Sequence, residues 1–199
     1  MNILYEIGES LYINITNRCP CSCVFCVRQE ADSVHGCESL WLNHEPSIDE
    51  IIGNFQKYNL DNYHSIVFCG YGEPLERLDI VLETCKYLRH KTKTKIRVNT
   101  NGLSDLINGK ETAKLLAGAI DAISISLNAP NKNDYMHIVR PIYGDTAFDS
   151  MLKFAKDCTQ LIGDVSLTIV NQGLSTSQIN ECKEIAESIG AKFRIREKI

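Results

Sequence analysis

Short β-type runs alternate with stretches of helical periodicity along the whole chain. The runs predict strands at residues 11–16, 65–69, 95–99, 122–127, 165–170 and 192–196. Ser47-Ile48-Asp49-Glu50 carries a capping box, in which the serine and the glutamate three positions on satisfy each other's backbone N–H groups, and opens the first helix. Leu78, Val81, Leu82, Cys85 and Leu88 form the apolar stripe of a second. A shorter third helix is expected over residues 110–118, and Phe148, Met151, Leu152, Ala155 and Ile162 stripe a fourth. Ser175 and Gln178 form another capping box, with Gly190 as the stop of the helix that follows.

Strand–helix alternation implies parallel strands joined by right-handed crossovers. Six such units predict an α/β fold, a partial TIM-type (β/α)6 barrel, with a flat doubly wound sheet as the alternative. In both, chemistry belongs at the carboxyl ends of the strands. The unusual polar and glycine clusters fall there: a cysteine loop after the first strand, Gly70-Tyr71-Gly72-Glu73-Pro74 after the second, and Asn99-Thr100-Asn101-Gly102 at the third. Ser124, Ser126 and Asn128 mark the fourth, and Asn171-Gln172-Gly173 the fifth. No internal repeat or linker divides the 199 residues, so one domain over 1–199 is expected.

Composition narrows the setting. A net charge of −4 gives no general pull toward nucleic acid or an anionic membrane. The basic run Arg89, His90, Lys91, Lys93, Lys95, Arg97 spans a helix-to-strand connection and reads as solvated surface opposite the functional face. No signal-peptide layout and no bilayer-length apolar run is seen, which predicts a cytoplasmic protein. Nine cysteines form an odd count, and four lie within eight positions, so a metal site in a reducing compartment fits better than a disulfide framework. Cys85, Cys158 and Cys182 lie on apolar helix faces and Cys69 ends a buried strand, so all four read as core.

Cys19-Pro20-Cys21-Ser22-Cys23-Val24-Phe25-Cys26 holds the candidate chemistry. Cys19, Cys23 and Cys26 have the spacing C-x3-C-x2-C. A 4Fe–4S cluster is commonly held by four thiolates, so three leave one iron open to a substrate or cofactor. The competing reading is a structural zinc site with Cys21 as fourth ligand, but zinc ribbons pair two separated C-x2-C knuckles and one such pair occurs here. Cys21 is therefore left out of the ligand set. Cys37, in the irregular segment with His35 and Gly36, is a candidate substrate-handling thiol, a role that needs a lowered thiol pKa.

The cysteine spacing after a strand, followed by Gly72-Glu73-Pro74 after the next, resembles the radical S-adenosylmethionine (SAM) superfamily. The segments Leu11 to Cys23 and Leu40-Trp41-Leu42-Asn43-His44-Glu45-Pro46-Ser47, with residues 70–75 and Arg140-Pro141, are similar to TatD family-associated radical SAM proteins. The resemblance implies a 4Fe–4S cluster on Cys19, Cys23 and Cys26 whose fourth iron binds SAM. It implies an electron from a flavodoxin or ferredoxin-type reductant, which splits SAM into methionine and a 5′-deoxyadenosyl radical that abstracts hydrogen from a substrate. Gly72, Glu73 and Pro74 would cradle the methionine ammonium, although Tyr71 separates two glycines that are usually adjacent. Asn99 would line the cavity. Ser126 matches the ribose contact and Asn128 the carboxylate contact, with Arg140 as a charged alternative. The glycine-rich adenine motif of the fifth strand is missing from Leu167-Thr168-Ile169-Val170-Asn171-Gln172-Gly173, so the adenine contacts stay open.

A functional link to a TatD-type hydrolase follows from the resemblance, which names no substrate. Two classes compete: a nucleoside or small heterocycle, and a peptide. The chain ends almost at the sixth strand, which predicts neither auxiliary clusters nor an appended recognition domain. The rival function is an iron–sulfur electron-transfer or structural metal-binding module without SAM chemistry.

Overall fold

The computed structural model describes residues 1–33, 36 and 39–197. A short hairpin comes first: β1 (Leu4–Ile7) pairs antiparallel with β2 (Ser10–Ile13) across a two-residue turn. Gly8 makes that turn at φ +55°, a conformation glycine adopts without a Cβ clash. Five strands then add in chain order, each parallel to the last: β3 (Ser65–Phe68), β4 (Lys95–Thr100), β5 (Ala122–Ser126), β6 (Asp164–Val170) and β7 (Lys192–Arg196). The crossovers carry α1 (Ile48–Phe55), α2 (Leu78–Lys91), α3 (Ser104–Asn108), α4 (Ala113–Leu116), α5 (Lys132–Val139), α6 (Ala147–Leu161) and α7 (Thr176–Ser188).

All six expected strands are present, with ends shifted by up to three residues. Both capping boxes form as expected, at Ser47/Glu50 and Ser175/Gln178. The helix expected over 110–118 shortens to α4, and α3 lies before it, outside the expected range. Gly109 ends α3 in the left-handed region, at φ +63°, and the carboxylate of Asp105 accepts from the Thr112 backbone N–H and hydroxyl at 2.8 and 2.7 Å. Three elements escaped the sequence reading, β1, α3 and α5. Helix α5 starts at an Asn131 cap whose side chain accepts from the Asp134 N–H, and it buries only Tyr135 and Val139.

The two faces of the sheet differ in chemistry. Leu11, Ile13, Ile66, Phe68, Ile96, Val98, Ile125, Leu167 and Ile169 are wholly buried and belong to the main hydrophobic core. Alternate residues lie on the other face, because side chains in a strand alternate sides: Tyr12, Arg97, Asn99, Ser124, Ser126, Arg194 and Arg196. One cavity of about 400 Å³ is lined by Tyr5 and Ile7 of β1, Arg97 of β4 and Arg194 of β7. In a flat sheet the outer strands would stand roughly 29 Å apart, at about 4.8 Å per strand. The sheet therefore curls around a polar concavity, as in a partial barrel. Among the described residues, no helix is long and apolar enough to cross a membrane.

Candidate active site

The cysteine loop leaves the carboxyl end of β2 and is braced from three sides. The first brace is the segment after it. Asn17 donates to the Leu42 carbonyl at 2.8 Å and accepts from the Leu42 N–H at 3.1 Å. The Thr16 hydroxyl and the Arg18 Nε both donate to Glu45 Oε1, at 2.6 and 2.7 Å. The second brace is the chain after α5: Ser22 N–H donates to the Val139 and Arg140 carbonyls, Val24 N–H to Ile138, and Ile142 N–H to Pro20. The third is Arg28, whose guanidinium donates to the carbonyls of Asn17, Tyr71 and Cys21. Arg28 fixes the loop from inside, a role its sequence position did not announce.

The glycines after β3 press against this loop. A Cβ on Gly72 would meet the Thr16 carbonyl oxygen at 2.3 Å and the Arg18 carbonyl oxygen at 2.6 Å. A Cβ on Gly70 would overlap the Asn14 side chain. Tyr71, the residue that interrupts the glycine pair, turns its ring edge-on to Trp41 with centroids 5.1 Å apart. Glu73 N–H donates to the Arg18 carbonyl at 2.8 Å. Its carboxylate is buried and accepts from the Thr100 hydroxyl at 2.7 Å, the Asn101 N–H at 2.7 Å and the Leu75 N–H at 3.1 Å. Glu73 thus ties the end of β3 to the end of β4. Burial, and secondarily the neighbouring Cys19, pushes its carboxyl up to about 8. Pro74 opens a buried 3-10 turn, Pro74–Arg77.

The thiols differ. Hydrogen bonding with Cys19 and Cys23, together with burial, holds the Cys21 thiol well above its ordinary range. That hydrogen bond lowers Cys19 to about 6 and lowers Cys23 as well, against burial. Cys26 is raised by burial. The Asn101 side-chain nitrogen lies 4.0 Å from Cys19 Sγ and 3.7 Å from Cys21 Sγ. The Tyr135 hydroxyl is enclosed, has no hydrogen-bond partner among the described residues, and stands near Cys21 and Cys23. Among the described residues no three His, Cys, Asp or Glu side chains stand ready to hold a single metal ion. The donor chemistry fits an iron–sulfur cluster: three soft sulfurs on one braced loop, with a free hydroxyl and an amide nitrogen as hydrogen-bond donors.

The remaining expected residues divide. Asn99 lines the concave cavity, and its Oδ1 is buried without a partner. Ser126 ends β5 and accepts from Arg196 Nη2 at 3.4 Å. Asn128 follows at φ +59°, buried, with Oδ1 unpartnered. Arg140 is placed differently. It caps α5 at φ +51° with an exposed side chain whose Nε donates to the His137 carbonyl, so only its own carbonyl reaches the cysteine loop. The cation beside Ser126 is the half-buried Arg196, which the sequence reading did not single out. Cys37 and His35 lie outside the described residues. Cys69, expected as core, lines the cavity. Arg97, expected on a solvated surface, lines the cavity as well: it lies within the strand expected at 95–99, on the face that carries Asn99.

A profile of the radical SAM superfamily matches residues 13–187. The chain belongs to that superfamily. Among curated relatives it is 27% identical to a probable GTP 3′,8-cyclase of Methanosarcina acetivorans, over 92% of this chain and 52% of that protein. It is also 27% identical to the dual-specificity RNA methyltransferase RlmN of Buchnera aphidicola, over 86% of this chain and 47% of that one. This superfamily member thus spans about half the length of the curated relatives it matches. Its fold is similar to that of Streptococcus suis SuiB, solved bound to S-adenosylmethionine, with TM-score 0.71 and 21% identity over 97% of this chain and 41% of SuiB.

Proposed function

We propose that this chain is the core of a radical SAM enzyme, a partial (β/α)6 barrel forming one domain, in which Cys19, Cys23 and Cys26 hold a 4Fe–4S cluster. The observation that carries the reading is the joint between the cysteine loop and the residues after β3, where Gly72 abuts the Thr16 and Arg18 carbonyls and Glu73 locks onto Asn101. That joint brings the three-cysteine loop and the Gly72-Glu73-Pro74 segment to one place. When bound, the cluster supplies the electron that cleaves SAM to methionine and a 5′-deoxyadenosyl radical. With both groups bound, the site would support removal of a hydrogen atom from a substrate, with 5′-deoxyadenosine as the by-product.

The chain's own residues position the reactants. Cys21 stays a thiol outside the ligand set. The carbonyls beside Gly72 would receive the methionine ammonium, while the Glu73 carboxyl group, engaged with Thr100 and Asn101, holds that turn in place. Ser126 and Asn128 offer their polar groups to ribose and carboxylate, and Arg196 takes the charged role in place of Arg140. The reading includes a cytoplasmic setting, a flavodoxin or ferredoxin-type reductant and a functional link to a TatD-type hydrolase. Relatives include proteins named for GTP and for RNA, and a structural neighbour is SuiB, also solved with its precursor peptide, so both substrate classes have precedent.

The test is anaerobic. The cluster is reconstituted, reduced with dithionite and mixed with SAM, and 5′-deoxyadenosine is measured. Formation by the wild type but not by Cys23→Ala is the expected result. An intact reduced cluster that neither cleaves SAM nor changes its spectrum on SAM addition would favour the electron-transfer module.

A further inference from the structure

The concave cavity holds more positive charge than the proposed SAM contacts use. Arg97, Arg194 and Arg196 all line it. None of the three has a carboxylate within 4 Å among the described residues. Glu197 stands at the cavity wall, and Asp164, an acidic group that acts electrostatically on Arg194, is engaged by Lys192 at 2.7 Å. Arg196 turns to Ser126, at the SAM end. Arg97 and Arg194 remain. The Arg97 Nε is enclosed with no hydrogen-bond partner, and its guanidinium meets the Tyr12 hydroxyl. Arg194 Nη2 donates to Ser124 Oγ at 3.3 Å, and its electrostatic neighbours include both Arg97 and Tyr12.

Two guanidiniums from different strands on one polar wall repel each other, and no ion pair among the described residues offsets that repulsion. They do form a receptor for an oxyanion. A guanidinium presents donors in a planar fork that matches phosphate or carboxylate oxygens. A carboxylate has two oxygens and is filled by one fork; a phosphate has three and can take both. Aromatic rings stand beside these arginines. Tyr5 and Tyr12 lie with ring centroids 5.2 Å apart, and Tyr71 closes the side toward the cysteine loop. A volume of about 400 Å³ falls among sites for small molecules, which run from about 300 to 1,000 Å³. Arg97 is two residues below Asn99 on β4, about 7 Å deeper along the strand. An anion held there lies beneath the carboxyl-end residues proposed to meet SAM.

We propose that this cavity binds the substrate, and that the substrate is a nucleotide whose phosphate is held by Arg97 and Arg194 while its base lies against the tyrosine wall. The assignment rests on the radical SAM reading for its role in turnover, but binding is measured without it. Cluster-reconstituted protein, kept anaerobic and without SAM or reductant, is titrated calorimetrically with the four ribonucleoside 5′-monophosphates, their nucleosides, and succinate as a carboxylate probe. At least one monophosphate should bind, with its nucleoside and succinate each at least tenfold weaker. Arg97→Gln and Arg194→Gln should each weaken that binding at least tenfold. Lys95→Gln, exposed on the same strand, should change it less than twofold. Thermal melts of the two arginine variants, expected to equal or exceed the wild type because a like-charge contact is relieved, separate lost binding from lost folding. The proposal is overturned if no monophosphate binds, if the nucleoside or succinate binds as tightly, or if correctly folded arginine variants bind unchanged. Arginine-dependent binding together with failure to form 5′-deoxyadenosine would leave the site standing and remove the radical SAM reading.

Discussion

Gly72 shows how one residue sets the site. Its missing Cβ is what lets the turn after β3 touch two backbone carbonyls of the segment leading into the cysteine loop. Those carbonyls cannot rotate away as a flexible side chain would. Gly72→Ala should therefore cost about 1–3 kcal/mol, in the range of other overpacking changes, and should displace the cysteine loop. The check is paired: a thermal melt of the apoprotein, and iron and sulfide bound after reconstitution, both lower than wild type. Gly36→Ala, where an added Cβ meets nothing within 4 Å, is the comparison; its φ of +75° carries backbone strain alone. The contrast separates glycine as spacer from glycine as turn-former. The same scale explains Asn128 and Arg140, the two non-glycine residues with positive φ among those described. Both lie on the β5–α6 crossover, where the chain turns back past the cysteine loop.

Elements owe their ends to local chemistry. The capping box at Ser47 is doubled by His44, whose Nε2 lies 2.9 Å from the second Glu50 oxygen. Ser47→Ala removes the acceptor for the Glu50 N–H and should destabilise the fold by about 1 kcal/mol, read as a lower urea midpoint with an unchanged slope. Ser175→Ala at α7 should cost a similar amount. These helices were legible because a capping box is written in four consecutive residues. Helix α5 was not, since its weak apolar face is explained only by Tyr135 and Val139 packing beneath the cysteine loop. The β1 strand was missed for a related reason: four residues before a Gly8 turn carry little pattern until β2 pairs with them.

The whole molecule sorts its charges and thiols by face. Cys85 and Cys158 sit on helices against the apolar side of the sheet, and burial pushes both thiols up to about 12 from an ordinary 9.0. Between about pH 9 and pH 12 the unfolded chain therefore releases protons that the native fold retains. Stability from this source is fully present below pH 9 and falls as pH rises through that window, by at most about 1.4 kcal/mol per pH unit for each thiol. Urea unfolding at pH 8.0, 9.5 and 10.5 should show this decline, and a Cys85→Ala/Cys158→Ala variant, though weaker overall, should lose part of the slope. An identical pH dependence in the two proteins would contradict the burial argument.

What the sequence by itself determined is whatever local pattern can encode. Hydrophobic period, capping boxes and the C-x3-C-x2-C spacing identified the alternating α/β architecture, the helix starts, the cysteine loop and the Gly72-Glu73-Pro74 turn, because each is a short-range constraint on a few neighbouring residues. Only the tertiary structure decided which distant groups meet. Arg97 looked like one more charge in a basic run, and its direction depended on which face of β4 the curled sheet turns toward the cavity. Arg140 looked like the charged partner at the site, yet the left-handed cap of α5 turns its side chain to solvent while Arg196 takes up the place beside Ser126. Such pairings arise from strand register and sheet curvature across well over fifty residues of chain, and no local pattern of residues records them.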